Sequence, residues 1–125
     1  MALQTVLLVE DDISMLFLLQ TLLEMEGYRV HVLDGNMDMG LALERVANTR
    51  PDLVLIDVHL RRLNGLDLVK HIRQDVRLAP IRVLMTSGMP MKEECYQAGA
   101  DGFILKPFMP DELVGKIRSL LPVNG

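Results

Sequence analysis

Five short apolar runs alternate with five helical segments along this chain, and that alternation leaves few folds open. Thr5 to Glu10 is rich in Val and Leu without a polar break, the pattern of a strand buried on both faces. From Ile13 to Met25 the apolar residues move to helical spacing, with Met15, Leu18, Leu19, Leu22 and Leu23 forming the stripe, and Gly27 follows as a C-terminal stop. Tyr28 to Leu33 alternates into a second strand. Met37 to Ala47 carries Leu41, Leu43 and Val46 on a second helix, and Pro51 ends the connection before a third strand, Asp52 to Asp57. Leu66 to Arg73 reads as helix, Pro80 as its break, and Ile81 to Met85 as the fourth strand. Lys92 to Ala98 is a short helix stopped by Gly99, Gly102 to Leu105 a brief fifth strand, and Pro110 opens a last helix to Leu121. Strands alternating with helices predict an α/β fold: a doubly wound five-stranded parallel sheet with helices on both faces, joined by right-handed crossovers.

The chain's 125 residues suit one such domain spanning 1-125, with no linker left over. Half the residues are hydrophobic and 24% are charged, a globular balance that excludes a disordered tail or a low-complexity segment. Thirteen Lys and Arg stand against 17 Asp and Glu, for a net charge of -4, and no basic block could track a phosphate backbone. Direct nucleic-acid binding and membrane binding are therefore not expected. The single cysteine, Cys95, excludes an internal disulfide and a cysteine-based zinc site; together with the lack of a signal-like start it predicts a soluble, cytoplasmic protein.

In open parallel sheets, ligands sit beyond the carboxyl ends of the strands, so those ends are where chemistry is expected. They carry Glu10, Asp11 and Asp12 after the first strand, Asp57 after the third, Thr86 after the fourth and Lys106 after the fifth. Three carboxylates in one crevice repel one another unless a cation neutralises them, and all-oxygen ligands suit Mg²⁺. A lysine and a threonine hydroxyl beside that ion suit the oxygens of a phosphoryl group. Asp57 is then the candidate nucleophile, because a carboxylate can form an acyl phosphate. Taken singly, each of these residues could be no more than a solvated loop side chain; their coincidence carries the inference.

Over nearly its full length the chain resembles the receiver domain of two-component response regulators. The resemblance rests on Leu8 to Asp12, Pro51 to Asp57, Met85 to Gly88 and, most specifically, Ala98 to Phe108 with its Lys106-Pro107 pair. It implies a flavodoxin-like three-layer sandwich with strand order 2-1-3-4-5. It implies also a phosphoacceptor rather than an enzyme acting on a separate substrate, taking a phosphoryl group onto Asp57 from a sensor histidine kinase or a histidine phosphotransfer protein. Carried over residue by residue, Glu10 and Asp11 form the acidic pair, and Asp11, Asp57 and the backbone carbonyl of His59 hold Mg²⁺ (or Mn²⁺). Asp12 is left as a cap or outer ligand. Thr86 and Lys106 bind the phosphoryl group, Lys106-Pro107 is a cis peptide, and Thr86 and Phe103 form the switch, with Phe103 favouring a buried rotamer once a pocket opens. The output, an output domain or a target protein, is not identified, and a monomer or a phosphorylation-dependent dimer is expected.

The loop after Asp57 departs from the family pattern, with Arg61 where a proline is usual, while Gly65 is retained. The stretch between Thr86 and Phe103 is short, which predicts a short or displaced fourth helix, and the segment from Tyr28 to Pro51 is slightly long. On the first helix, Leu16 and Phe17 stand where the family often has charged residues. Phe17 falls beside Thr21 and Glu24, away from the apolar stripe, so this pair is a candidate partner-docking surface. His59 is expected to keep its side chain exposed, since Mg²⁺ disfavours imidazole. His31 and His71 lack metal-binding spacing, most of the nine methionines are expected to fill gaps in the core, and Arg61-Arg62 is read as a solvated pair.

Readings from other classes fail on local features. A flavin or dinucleotide binder needs a Gly/Ser/Thr-rich turn after the first strand, where this chain has Glu-Asp-Asp, and an aspartate-nucleophile phosphatase wants a second Asp where His59 stands. A receiver-like interaction module not regulated by phosphorylation is disfavoured by the presence of the whole constellation.

Overall fold

The computed structural model describes residues 3–121. Its ten elements run β1 (Thr5–Val9), α1 (Ile13–Met25), β2 (Arg29–Leu33), α2 (Met39–Thr49), β3 (Leu53–Asp57), α3 (Gly65–Gln74), β4 (Arg82–Ser87), α4 (Lys92–Ala98), β5 (Gly102–Leu105) and α5 (Pro110–Leu120). The strands form one parallel sheet in the order 2-1-3-4-5, as expected.

Period-two alternation in the central strands decides which layer each side chain joins. Val6 and Leu8 of β1, with Leu53 and Leu55 of β3, face α1 and α5 and pack on Leu19, Leu23, Leu113 and Ile117. Leu7, Val9, Val54 and Ile56 face the other way, onto Ala42 and Val46 of α2, Leu68 and Ile72 of α3, and Cys95 and Ala98 of α4. Both faces of β3 are therefore dry, and its last residue, Asp57, is carried out of the core at the carboxyl edge.

Capping places the helix starts. The Asp12 side chain accepts from Met15 N at 3.1 Å and begins α1, so this residue acts as its cap. Asp38 does the same for α2 through Leu41 N, so α2 begins at Met39 rather than Met37: an N-cap aspartate outweighs one more apolar position. Asn64 caps α3 through Leu66 N and Asp67 N. Gly27 and Gly99 follow α1 and α4 with positive φ, as helix stops do.

Several packing expectations change. Leu18 of the α1 stripe is exposed, and so is Leu41 of α2, where Ala42 is buried instead. Strand β4 runs on to Ser87, so Thr86 lies inside the strand, opposite Asp57. Helix α4 has seven residues, in line with the short fourth helix expected. Of the eight described methionines only Met85 is fully buried; Met15, Met37, Met39 and Met91 pack at the margins of the core, while Met25, Met89 and Met109 are exposed. The branched residues of the strands already fill the core, leaving few gaps for methionine to take.

Candidate functional site

The carboxyl edge of the sheet brings Glu10, Asp57 and Lys106 into one charged cluster. Asp57 (8% exposed) ends β3, Glu10 (7%) follows β1, and Lys106 follows β5. Lys106 Nζ lies 2.7 Å from Asp57 Oδ2 and 3.6 Å from Glu10 Oε2. The other Asp57 oxygen, Oδ1, accepts the His59 N–H at 3.0 Å. The Lys106-Pro107 peptide is cis, as the resemblance implies. Chain direction here depends on glycine: a Cβ on Gly65 would run into the Asp57 carbonyl oxygen and lie 2.8 Å from Val58 Cα.

The cluster sets its own protonation. Burial pushes Glu10 up to about 7, aided by the hydrogen bond and charge of Asp57 and opposed by Lys106 and the Asp12 N–H. Burial also works to raise Asp57, but hydrogen bonds from Glu10, Lys106 and the His59 N–H outweigh it and hold this carboxyl below its ordinary range. For Lys106, burial works to lower the ammonium, and the pairing with Asp57 and Glu10 overcomes it and raises it. Two carboxylates pushed apart in this way leave Asp57 as the ionised one.

Asp11 and Thr86 complete the surroundings. One Asp11 oxygen, Oδ2, accepts the backbone N–H of Arg61, and the other, Oδ1, is buried without a partner. Among the described residues no group of three His, Cys, Asp or Glu side chains is gathered as a metal-ligand set. The donors that are present still suit a hard divalent cation: carboxylate oxygens at Asp11 and Asp57, the His59 carbonyl, and one Asp11 oxygen with nothing to bind. An open hollow of about 600 Å³, lined by Glu10, Asp11, Asp12, Ser14, His59 and Arg61 among others, gives access. Thr86 is 3% exposed, and its Oγ1 too is buried without a partner. Buried polar atoms are rarely left unpaired, so these two are open to a ligand or a water molecule.

The remaining candidates divide. The His59 side chain is exposed, as expected, and its backbone bridges to Asn64. Phe103 is half-buried against the face of the core that holds Cys95 and Ala98. Phe17 is 73% exposed, but Leu16 is half-buried against the α1–α5 side of the core, so the proposed docking pair reduces to Phe17. Leu16 lies close enough to the Leu19–Leu23 line for packing to claim it.

Three contacts escaped the sequence reading. The Arg61 N–H reaches Asp11 from the β3–α3 loop. Gly35 admits the β2–α2 loop to the pocket, since a Cβ there would strike Asp11 Oδ1 and approach Leu60 Cδ2 to 2.9 Å. Arg73 ties α3 to the loops that enter β4 and β5 by donating to Gly99 O, Ala79 O and Ile81 O and pairing with Asp101 at 2.7 Å. The one signal for the last was an arginine close to a predicted helix end.

Comparison with known proteins shows the family. Residues 6–118 match the family described as response regulator receiver domain. The chain is 38% identical over 124 residues to the DNA-binding response regulator MtrA of Mycobacterium tuberculosis, covering 97% of this chain and 52% of that protein. It is 37% identical over 116 residues to the CpxR homolog of Haemophilus influenzae, covering 92% and 49%. The chain thus spans about half the length of these curated relatives. Among solved structures, chemotaxis response regulator CheY4 of Vibrio cholerae superposes with a TM-score of 0.86 at 28% identity, covering 96% of this chain and 100% of that one. A putative response regulator from Chloroflexus aurantiacus gives 0.86 at 30% identity, covering 95% and 98%. This chain belongs to the response regulator receiver domain family of two-component systems.

Proposed function

We propose that Asp57 accepts a phosphoryl group from a phosphohistidine on a sensor histidine kinase or a histidine phosphotransfer protein. The observation that carries this reading is a buried carboxylate paired with Lys106 at 2.7 Å, on the strand next to a buried threonine hydroxyl that binds nothing. In the transfer, an Asp57 oxygen bonds to phosphorus, the P–N bond to the donor imidazole breaks, and the imidazole leaves with the bonding pair. The low pKa of Asp57 keeps it a competent nucleophile at neutral pH. Lys106 offers a fixed positive charge where the phosphoryl oxygens accumulate negative charge, and Thr86 Oγ1 is a free donor for one of them. The His59 N–H orients the carboxylate. Asp11, Asp57 and the His59 carbonyl would hold Mg²⁺ (or Mn²⁺), with Glu10 beside them; the bound cation would supply further positive charge against the phosphoryl oxygens.

Phosphorylation acts as a switch if the two states make different contacts. Pairing Thr86 Oγ1 with a phosphoryl oxygen is such a difference, and on this reading Phe103, half-buried on neighbouring strand β5 opposite Met85, is the residue that responds. The protein works in the cytoplasm on this reading. Among the described residues, no helix is long and apolar enough to cross a membrane. MtrA is described as DNA-binding over a chain about twice as long; here a net charge of -4 argues for an output through another domain or a target protein.

The test is intact mass after incubation with a small-molecule phosphodonor and Mg²⁺. The chain should gain one phosphoryl group and Asp57→Asn none; equal gain by both would refute the assignment.

A further inference from the structure

Asp11 is the one carboxylate at this edge that is held by a loop rather than by Lys106. Its Oδ2 accepts the Arg61 N–H, across 50 residues of sequence, and its Oδ1 is buried beside Gly35 and Leu60 with no hydrogen bond at all. A carboxylate in that position has spent one oxygen on a backbone amide and has the other stranded. Oδ1 is buried, so a cation reaches Asp11 either through Oδ2 or by turning the carboxylate to bring Oδ1 out, and both displace the amide; hydrogen bonds to charged acceptors are among the stronger ones, so the cation competes with it.

Resting on the divalent-cation reading above, we infer that the Arg61 backbone N–H is a latch on Asp11: a positioning group that holds the carboxylate in the absence of metal and releases it on metal loading. The β3–α3 loop is thereby coupled to the occupancy of the site. Any residue at 61 except proline carries the latch, because only proline lacks the N–H. The arginine that stands here is consequential through its backbone, while its side chain is solvent-exposed. If the latched form is the main form of the metal-free protein, the apparent cation affinity is lowered by the fraction of molecules in which Asp11 is free.

The experiment compares Arg61→Pro with Arg61→Ala, two variants that both lose the guanidinium charge; the proline also loses the N–H and, through its ring, fixes φ. Mg²⁺ is titrated calorimetrically into each full chain. The Pro variant should bind about three- to tenfold more tightly than the Ala variant. Equal affinities in two folded variants overturn the latch. Should the Pro variant not fold, amide exchange at Arg61 in the unsubstituted chain decides: protection without Mg²⁺ that is lost on loading supports the latch, and unchanged exchange overturns it. An unsubstituted chain that binds no Mg²⁺ overturns the metal reading of the proposed function, and the latch with it. Mg²⁺ binding with equal Ala and Pro affinities removes the latch alone.

Discussion

Lys106 Nζ stands 2.7 Å from Asp57 Oδ2 and 3.6 Å from Glu10 Oε2, so one ammonium serves two buried carboxylates delivered by different strands. Asp11 is outside that arrangement, bound to the Arg61 N–H instead. The two sides of the site are therefore separable by mutation. Asp11→Ala should weaken Mg²⁺ binding by more than about tenfold, since it removes an oxygen ligand. Lys106→Ala removes a competing positive charge, so it should keep Mg²⁺ affinity while impairing the response to phosphorylation. Calorimetric titration of both variants checks this; equal loss of affinity would contradict the separate roles.

Glu10 gives the metal-free protein a specific pH dependence. Its folded pKa, about 7, lies above the ordinary 4.5, so the folded state holds the extra proton. That contribution to stability is fully present below pH 4.5 and is lost as pH rises through about 7. Asp57 runs the other way: its lowered pKa stabilises the fold above 3.8 and fails only as pH falls further. Thermal midpoints in buffer without divalent cations should therefore fall as pH rises from 4.5 to 7, and Asp57→Asn, which removes one source of the shift but not the burial, should make that fall shallower. A steeper fall in the variant would contradict the assignment.

Thr86 tests whether an orphaned hydroxyl is kept for function. Thr86→Val preserves shape and removes the unpaired buried oxygen, so it should raise stability by about 1 kcal/mol in urea unfolding. In the same variant, phosphorylation should no longer shift the resonances of Phe103. A variant that loses stability and keeps the Phe103 shift would show that the hydroxyl belongs to the fold.

Phe17 is the exposed aromatic of α1, and its removal should leave the fold alone, within about 0.5 kcal/mol. Phe17→Ser should accept phosphate from a small donor at the unsubstituted rate, yet accept it more slowly from the cognate kinase. Identical rates with the kinase would leave Phe17 without a docking role.

Much of this was legible before the fold was known, because strands buried on both faces write themselves as unbroken apolar runs and the parallel-sheet rule names their carboxyl ends. Glu10, Asp57 and Lys106 followed from that rule and meet in the structure. The α2 start was missed because Met37 continues the apolar spacing, while the decision rests on one hydrogen bond from Leu41 N to Asp38. Leu18 was misplaced because α1 is apolar over more of its circumference than its core contact requires, so spacing alone could not tell Leu18 from Leu19. The engagement of Asp11 was invisible for another reason: its partner is a backbone N–H, a group that every residue but proline carries and no side chain announces. Which oxygen of a carboxylate is satisfied depends on how two loops approach, and loop approach is where sequence patterns say least.

The central claim, that Asp57 is the phosphoacceptor, is tested most directly by trapping the acyl phosphate chemically. Borohydride reduces such a linkage to an alcohol with release of phosphate, so the modified aspartate becomes homoserine. After phosphorylation by a small donor with Mg²⁺, reduction and peptide sequencing should find homoserine at position 57 and nowhere else. Homoserine at Asp11, Asp12 or another carboxylate, with Asp57 intact, would contradict the account.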